Sequence, residues 1–189
     1  MKIFKYLLFL LLILFIAGSI YVATKDGDFS AETSRTISAP APMLYREIAD
    51  LSNWKTWEGW SSQEGIDLDL SEDPRGEGAE ISWQADSMRD GKITTTSAIP
   101  NTRLEQAVIM ETSTGKATGN ITWTLEPENG QTRVTWQLSG SQSFKEKLAF
   151  TLQDKDMTEI FQPVFEENLQ DLEENVIRKM EEYSINVDG

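Results

Sequence analysis

The sequence predicts an α+β fold: about seven antiparallel strands closed by one long carboxy-terminal helix, with a single membrane helix in front. Three observations predict it. An uncharged apolar run fills residues 6–23, apolar and polar residues alternate in segments from residue 66 to residue 138, and after Gly140 the apolar period changes from two to threes and fours.

The apolar run, YLLFLLLILFIAGSIYVA, follows Lys2 and Lys5 and is ended by Lys25, Asp26 and Asp28. Eighteen helical residues span roughly 27 Å, close to the thickness of a bilayer core. Tyr6 and Tyr21 fall near its ends, where interfacial aromatics belong. Lysines precede the run and acids follow it, so the positive-inside rule expects a single-pass protein with a cytoplasmic amino terminus and the remainder outside. The competing reading is a cleaved signal peptide, with an apolar region from Leu7 to Ile16 and small residues at Ala17-Gly18-Ser19. Continuation of the apolar stretch through Ile20, Tyr21 and Val22 favours a retained anchor. The expected organisation is an anchor over residues 1–24, a short linker over 25–30 and one domain over 31–189.

Composition narrows the chemistry. The 189 residues include 31 acidic and 17 basic side chains, no histidine and no cysteine. Histidine-assisted nucleophilic catalysis, His- or Cys-ligated zinc, disulfides and redox dithiols are therefore unavailable within the chain. Beyond the anchor there are 31 acidic and 15 basic side chains, a formal net charge of −16, which argues against nucleic acid as a partner. Carboxylate chemistry, or recognition of an apolar or cationic molecule, remains.

Phe29 to Ser38 carries a modest strand signal, ended by Ala39-Pro40-Ala41-Pro42. Pro42 suits a first helical turn, and Leu44, Tyr45, Ile48 and Ala49 follow at helical spacing. Asp50 to Trp57 predicts a turn and a second short helix that sets Trp54 and Trp57 on one face. Strands are then expected around Ile66–Leu70, Ile81–Ala85, Gly91–Ile99, Leu104–Met110, Asn120–Leu125 and Val134–Leu138. Asn129-Gly130 marks a tight hairpin between the last two. Ile160, Phe161, Val164, Phe165, Asn168, Leu169, Leu172, Val176, Met180 and Tyr183 form the stripe of a long amphipathic helix, with either its start or a kink at Pro163.

The residues also carry a resemblance. Arg35-x-Ile37-x-Ala39-Pro40, followed by Tyr45, Ile48, Asp50 and Trp54-x-x-Trp57, resembles the opening of the polyketide cyclase/dehydrase-like branch of the START and birch-allergen superfamily (SRPBCC). Gly76-x-Gly78 before Trp83, Ile99-Pro100-Asn101-x-Arg103-Leu104, and Gly119-x-Ile121-x-Trp123-x-Leu125-x-Pro127-x-x-Gly130-x-Thr132-x-Val134-x-Trp136 are similar to its later strands. The resemblance covers roughly residues 29–183. It implies a helix-grip fold, a curved sheet wrapped around the terminal helix with an apolar cavity between them, and an amino-terminal membrane helix resembles a bacterial subgroup.

On that expectation the alternating positions supply the cavity lining: Trp83, Val108, Met110, Trp123 and Trp136 from the strands, and Phe161, Phe165 and Leu169 from the helix. Aromatic walls suit a flat or hydrophobic molecule, although large aromatics at strand spacing equally suit a filled core. Arg103 and Glu105 are candidate polar anchors. Gly76-x-Gly78 lacks the third glycine and the lysine of a phosphate loop and reads as a turn. The acids of the last helix read as a solvated face, with no metal site and no cofactor expected.

The function expected from these features is an extracytoplasmic domain, in a bacterial periplasm or on a cell surface, tethered through residues 6–23 and binding a small hydrophobic or lipid-like ligand. The alternatives are a filled-core module that meets an envelope protein partner, or a cyclase- or dehydratase-type enzyme. No carboxylate pair at catalytic spacing is visible for the latter, because six residues of strand separate Glu105 from Glu111 by about 20 Å.

Overall fold

The computed structural model describes residues 2–59, 64–85, 89–112, 115–153 and 157–187. Helix α1 (Lys2–Thr24) is apolar and long enough to cross a membrane, and nearly all of its side chains are exposed. A three-residue connection leads into strand β1 (Asp28–Ile37), so the strand opens inside the stretch expected as linker.

Helix α2 (Ala41–Ala49) follows the proline pair, with Pro40 at its N-cap and Pro42 in its first turn, where a missing N–H leaves no intrahelical bond unmade. Asp50 ends α2 and caps the next element, a 3-10 helix over Leu51–Thr56, by accepting from the Ser52 amide at 3.1 Å. These two short helices carry the chain from one edge of the sheet to the other. Six strands return it: β2 (Ile66–Leu70), β3 (Glu80–Ala85), β4 (Gly91–Ile99), β5 (Arg103–Thr112), β6 (Gly115–Glu128) and β7 (Gln131–Ser141). The seven strands form one antiparallel sheet in the order β1-β7-β6-β5-β4-β3-β2.

Local chemistry fixes the register. Asn129 and Gly130 adopt positive φ values of 51° and 83°, the conformation of a two-residue hairpin turn, and this pairs Trp123 with Trp136 and Ile121 with Leu138. Asn101, at φ 62°, turns β4 into β5. An irregularity between Thr95 and Ser97 adds a residue to β4, which bends the sheet and keeps Thr95 on its inner face.

The core lies on the concave face. Ile81, Ile93, Leu104, Ile121, Leu125, Val134 and Leu138 meet Phe165, Leu169, Leu172 and Val176 of the terminal helix α4 (Met157–Val187). Each such side chain contributes about 1.5–3 kcal/mol by leaving water. Arg35 of β1 donates to Glu173 of α4, tying the edge strand to the helix.

The carboxy-terminal half departs from expectation in three ways. A separate helix α3 (Phe144–Gln153) stands between β7 and α4. α4 begins at Met157 and runs through the exposed Pro163, so the helix start expected at the proline lies six residues earlier. Ile160, Val164 and Tyr183 of the apolar stripe are exposed, since burial is confined to Phe165–Val176, where the helix packs into the core.

Candidate functional site

An aromatic column crosses the core. Trp54 lies 5.7 Å from Trp57, whose ring meets Trp123 edge-on at 6.1 Å. Trp123 stacks on Trp136 at 4.4 Å, Trp136 on Phe165 at 4.2 Å, and Phe165 is followed by Phe161 at 5.8 Å. Trp123, Trp136 and Phe165 are thus stacked ring on ring within the core, and Leu169 belongs to the same buried cluster. Trp83 is held elsewhere. Its ring lies over Gly91, directly opposite in register, and its indole N–H donates to the Arg89 carbonyl at 2.7 Å.

A cavity of about 70 Å³ lies where the column ends. Phe161 walls one side, Val108 and Met110 of β5 another, and Phe29, Leu138, Phe150 and Met157 close it. The hollow exists because inner positions at this end of the sheet are small. Ala117 and Gly119 line it, and a Cβ on Gly119 would lie 3.2 Å from Leu138 Cδ1 and 3.3 Å from Val108 Cγ1. Of the eight residues expected to line a cavity, Val108, Met110 and Phe161 meet here. The sequence signal for the rest of the wall was the run of small residues at alternating inward positions, Ala117 and Gly119, together with the glycine at 140 opposite Phe29.

Arg103 and Glu105 lie on the opposite face of β5, half exposed and paired with each other at 2.7 Å. The alternation explains it: Leu104, Gln106, Val108 and Met110 point inward, so their odd-numbered neighbours point outward. On β4 and β5 the buried inward polar groups are Thr95 and Gln106, opposite one another in register. Gln106 Oε1 accepts from the Trp123 indole at 3.1 Å, while Gln106 Nε2, Thr95 Oγ1 and Trp136 Nε1 have no hydrogen-bond partner among the described residues. Gln106 is the next inward position along β5 from Val108, so this polar patch lies beside the inner end of the hollow.

Two further buried polar groups belong to the helix packing. Glu47 accepts from Lys179 at 2.6 Å and Asn175 at 3.2 Å, and Glu58 accepts from Asn168 at 3.1 Å. Among the described residues no three acidic side chains converge as a metal site. Larger hollows, of about 620 and 450 Å³, are surface grooves lined by mixed charges such as Asp67, Asp69, Lys92 and Lys116, or Asp171, Glu174 and Arg178.

A seven-stranded antiparallel sheet curved against a long terminal helix, with its small hollow between them, defines a helix-grip domain. The chain belongs to the polyketide cyclase/dehydrase and lipid transport family, whose sequence model matches residues 28–176. Among solved structures it is similar to a protein from Chromobacterium violaceum (16% identity, TM-score 0.58, covering 78% of this chain and 96% of that one). An uncharacterized protein from Rhizobium leguminosarum is similar at 18% identity and a TM-score of 0.57, covering 82% and 97%. A protein of the dynemicin biosynthetic locus matches at 14% identity and a TM-score of 0.50, covering 77% of this chain and 46% of that one. At these identities the likeness is one of fold. No curated protein matches the sequence.

Proposed function

We propose that the protein is a membrane-anchored, extracytoplasmic domain that takes up a small hydrophobic or lipid-like molecule between the sheet and its helices, at the hollow bounded by Val108, Met110 and Phe161. The observation that carries this reading is the apolar cavity itself, set at the end of the core where small inner residues leave the space unfilled. Family membership supports it.

At about 70 Å³ the cavity is far smaller than the ~300 Å³ usual for ligand sites. Binding therefore entails displacement of side chains that close the hollow, of which Phe150 of α3 is only part-buried. The buried amide of Gln106 and hydroxyl of Thr95 lie beyond the inner end and suit the polar head of an otherwise apolar guest.

A titration of the full-length protein with parinaric acid tests the proposal. Energy transfer from the tryptophans, of which Trp136 stacks on Phe165 next to cavity-lining Phe161, reports binding. Val108→Phe, which fills the hollow, is expected to weaken binding at least about tenfold, or 1.4 kcal/mol, with circular dichroism unchanged. Equal binding by the two proteins would contradict the assignment.

One observation favours a second reading. The stacked column fills most of the interior, as in a module whose closed core supports a surface for an envelope protein partner. That reading expects no parinaric acid binding by either protein.

A further inference from the structure

Helix α3 is stable for a local reason. Ser143 Oγ and Glu146 form a reciprocal capping box, in which the Glu146 amide donates to Ser143 Oγ at 3.3 Å and Glu146 Oε2 accepts from the Ser143 amide at 2.8 Å. Yet the helix buries no side chain. Phe144, Leu148 and Leu152, spaced by four, are 44%, 37% and 78% exposed and form one apolar stripe. Lys145 and Lys147 against Glu146 give the segment a net positive charge within a domain of strongly negative charge.

Its position is equally specific. Lys147 Nζ donates to the carbonyls of Lys25 at 2.8 Å and Ala23 at 3.4 Å, capping the end of α1. The Gln142 amide donates to the Gly27 carbonyl at 2.7 Å, and Val22, in the last turn of α1, is buried where α1 meets α3. The apolar stripe is thus fixed beside the point where the apolar helix ends.

We infer that α3 lies in the lipid interface, its Phe144, Leu148 and Leu152 face inserted among the acyl chains next to the exit of α1. This deepens the functional reading and rests on α1 being a membrane anchor. A short amphipathic helix with apolar residues on one side and lysines at its margin suits that boundary, and the adjoining anchor supplies the proximity that its small size could not. The consequence for the site is direct. Phe150 and Glu146 of the same helix line the cavity, so the wall separating the hollow from the surroundings faces the bilayer, and a hydrophobic guest passes between them without crossing water.

The absence of cysteine makes the test clean. Full-length variants Leu152→Cys, Leu11→Cys and Gln137→Cys, each carrying a nitroxide and reconstituted in phosphatidylcholine vesicles, are compared for collision with oxygen and with a water-soluble nickel chelate. The expected result is oxygen-dominated relaxation at positions 11 and 152, with a ratio several-fold above that at position 137 on the outer face of the sheet. An aqueous signal at 152 with a lipid signal at 11 would overturn the inference and leave the anchor standing. Aqueous signals at both would overturn the anchor and the inference together. Shielding of position 152 from both reagents would identify protein contact and likewise overturn it.

Discussion

At the scale of single residues, the alternation of the strands identified which side chains point inward, but not whether their volumes meet. Trp123 and Trp136 are inward as their spacing requires, and face-to-face contact with each other and with Phe165 makes them core. That outcome depends on the register between β6 and β7 and on the height of α4, neither of which is written in one strand. Gly91 shows the same limit. In sequence it opens a strand; in the fold its missing side chain is the seat of the Trp83 ring, and a Cβ there would lie 2.3 Å from Trp83 Cζ2. Gly91→Ala is expected to lower stability by about 1–3 kcal/mol, as overpacked sites do, read from the urea midpoint. A change below about 0.5 kcal/mol would show that the ring moves freely. Lys179→Met removes the cation bonded to buried Glu47. The loss is expected to be about 2–3 kcal/mol, short of the ~3–5 of a fully buried pair because Lys179 is part-exposed. A neutral result would show that Asn175 and Arg46 satisfy Glu47 without the lysine.

At the scale of elements, strands were legible because their period is strict and their turns carry Asn-Gly and Pro-Asn signals. Helix α3 was not, although Ser143-x-x-Glu146 is a capping box in plain sequence. Its apolar spacing, Phe144-Leu148-Leu152, serves no core contact, so it merged into the approach to α4. Ser143→Ala is expected to speed amide exchange throughout α3 while that of the sheet is unchanged, consistent with a cap worth about 1 kcal/mol. Slowed exchange would contradict the local origin of its stability. The acidic face of α4 has its own signature. Burial, and then repulsion from Glu167 and Glu174, raise the Asp171 carboxyl above its ordinary range. A raised acid subtracts stability at neutral pH and stops doing so once it is protonated in both states. Asp171→Asn is therefore expected to stabilise by about 0.5 kcal/mol at pH 7, with the gain fading below about pH 4. Glu80 runs the other way: hydrogen bonds from Lys92 and Thr94 lower its pKa, so its contribution is present at neutral pH and lost on acidification.

At the scale of the whole molecule, the sequence placed an apolar helix, a curved sheet and a closing helix in order, and the ordered motifs were specific enough to name the family. The position of the hollow was not legible, because it arises where small residues of two strands coincide with the end of an aromatic stack and with a helix docked on α1. The domain is acidic overall, its hollow apolar, and its α3 wall held by Lys147 at the end of the proposed anchor. The claim that this hollow takes up a hydrophobic molecule is tested most directly by solvent extraction and mass spectrometry of purified full-length protein, beside Val108→Phe prepared identically. The account predicts a hydrophobic species retained at near-stoichiometric amount by the parent protein and depleted in the filled variant. The same lipids in the same amounts from both would contradict it.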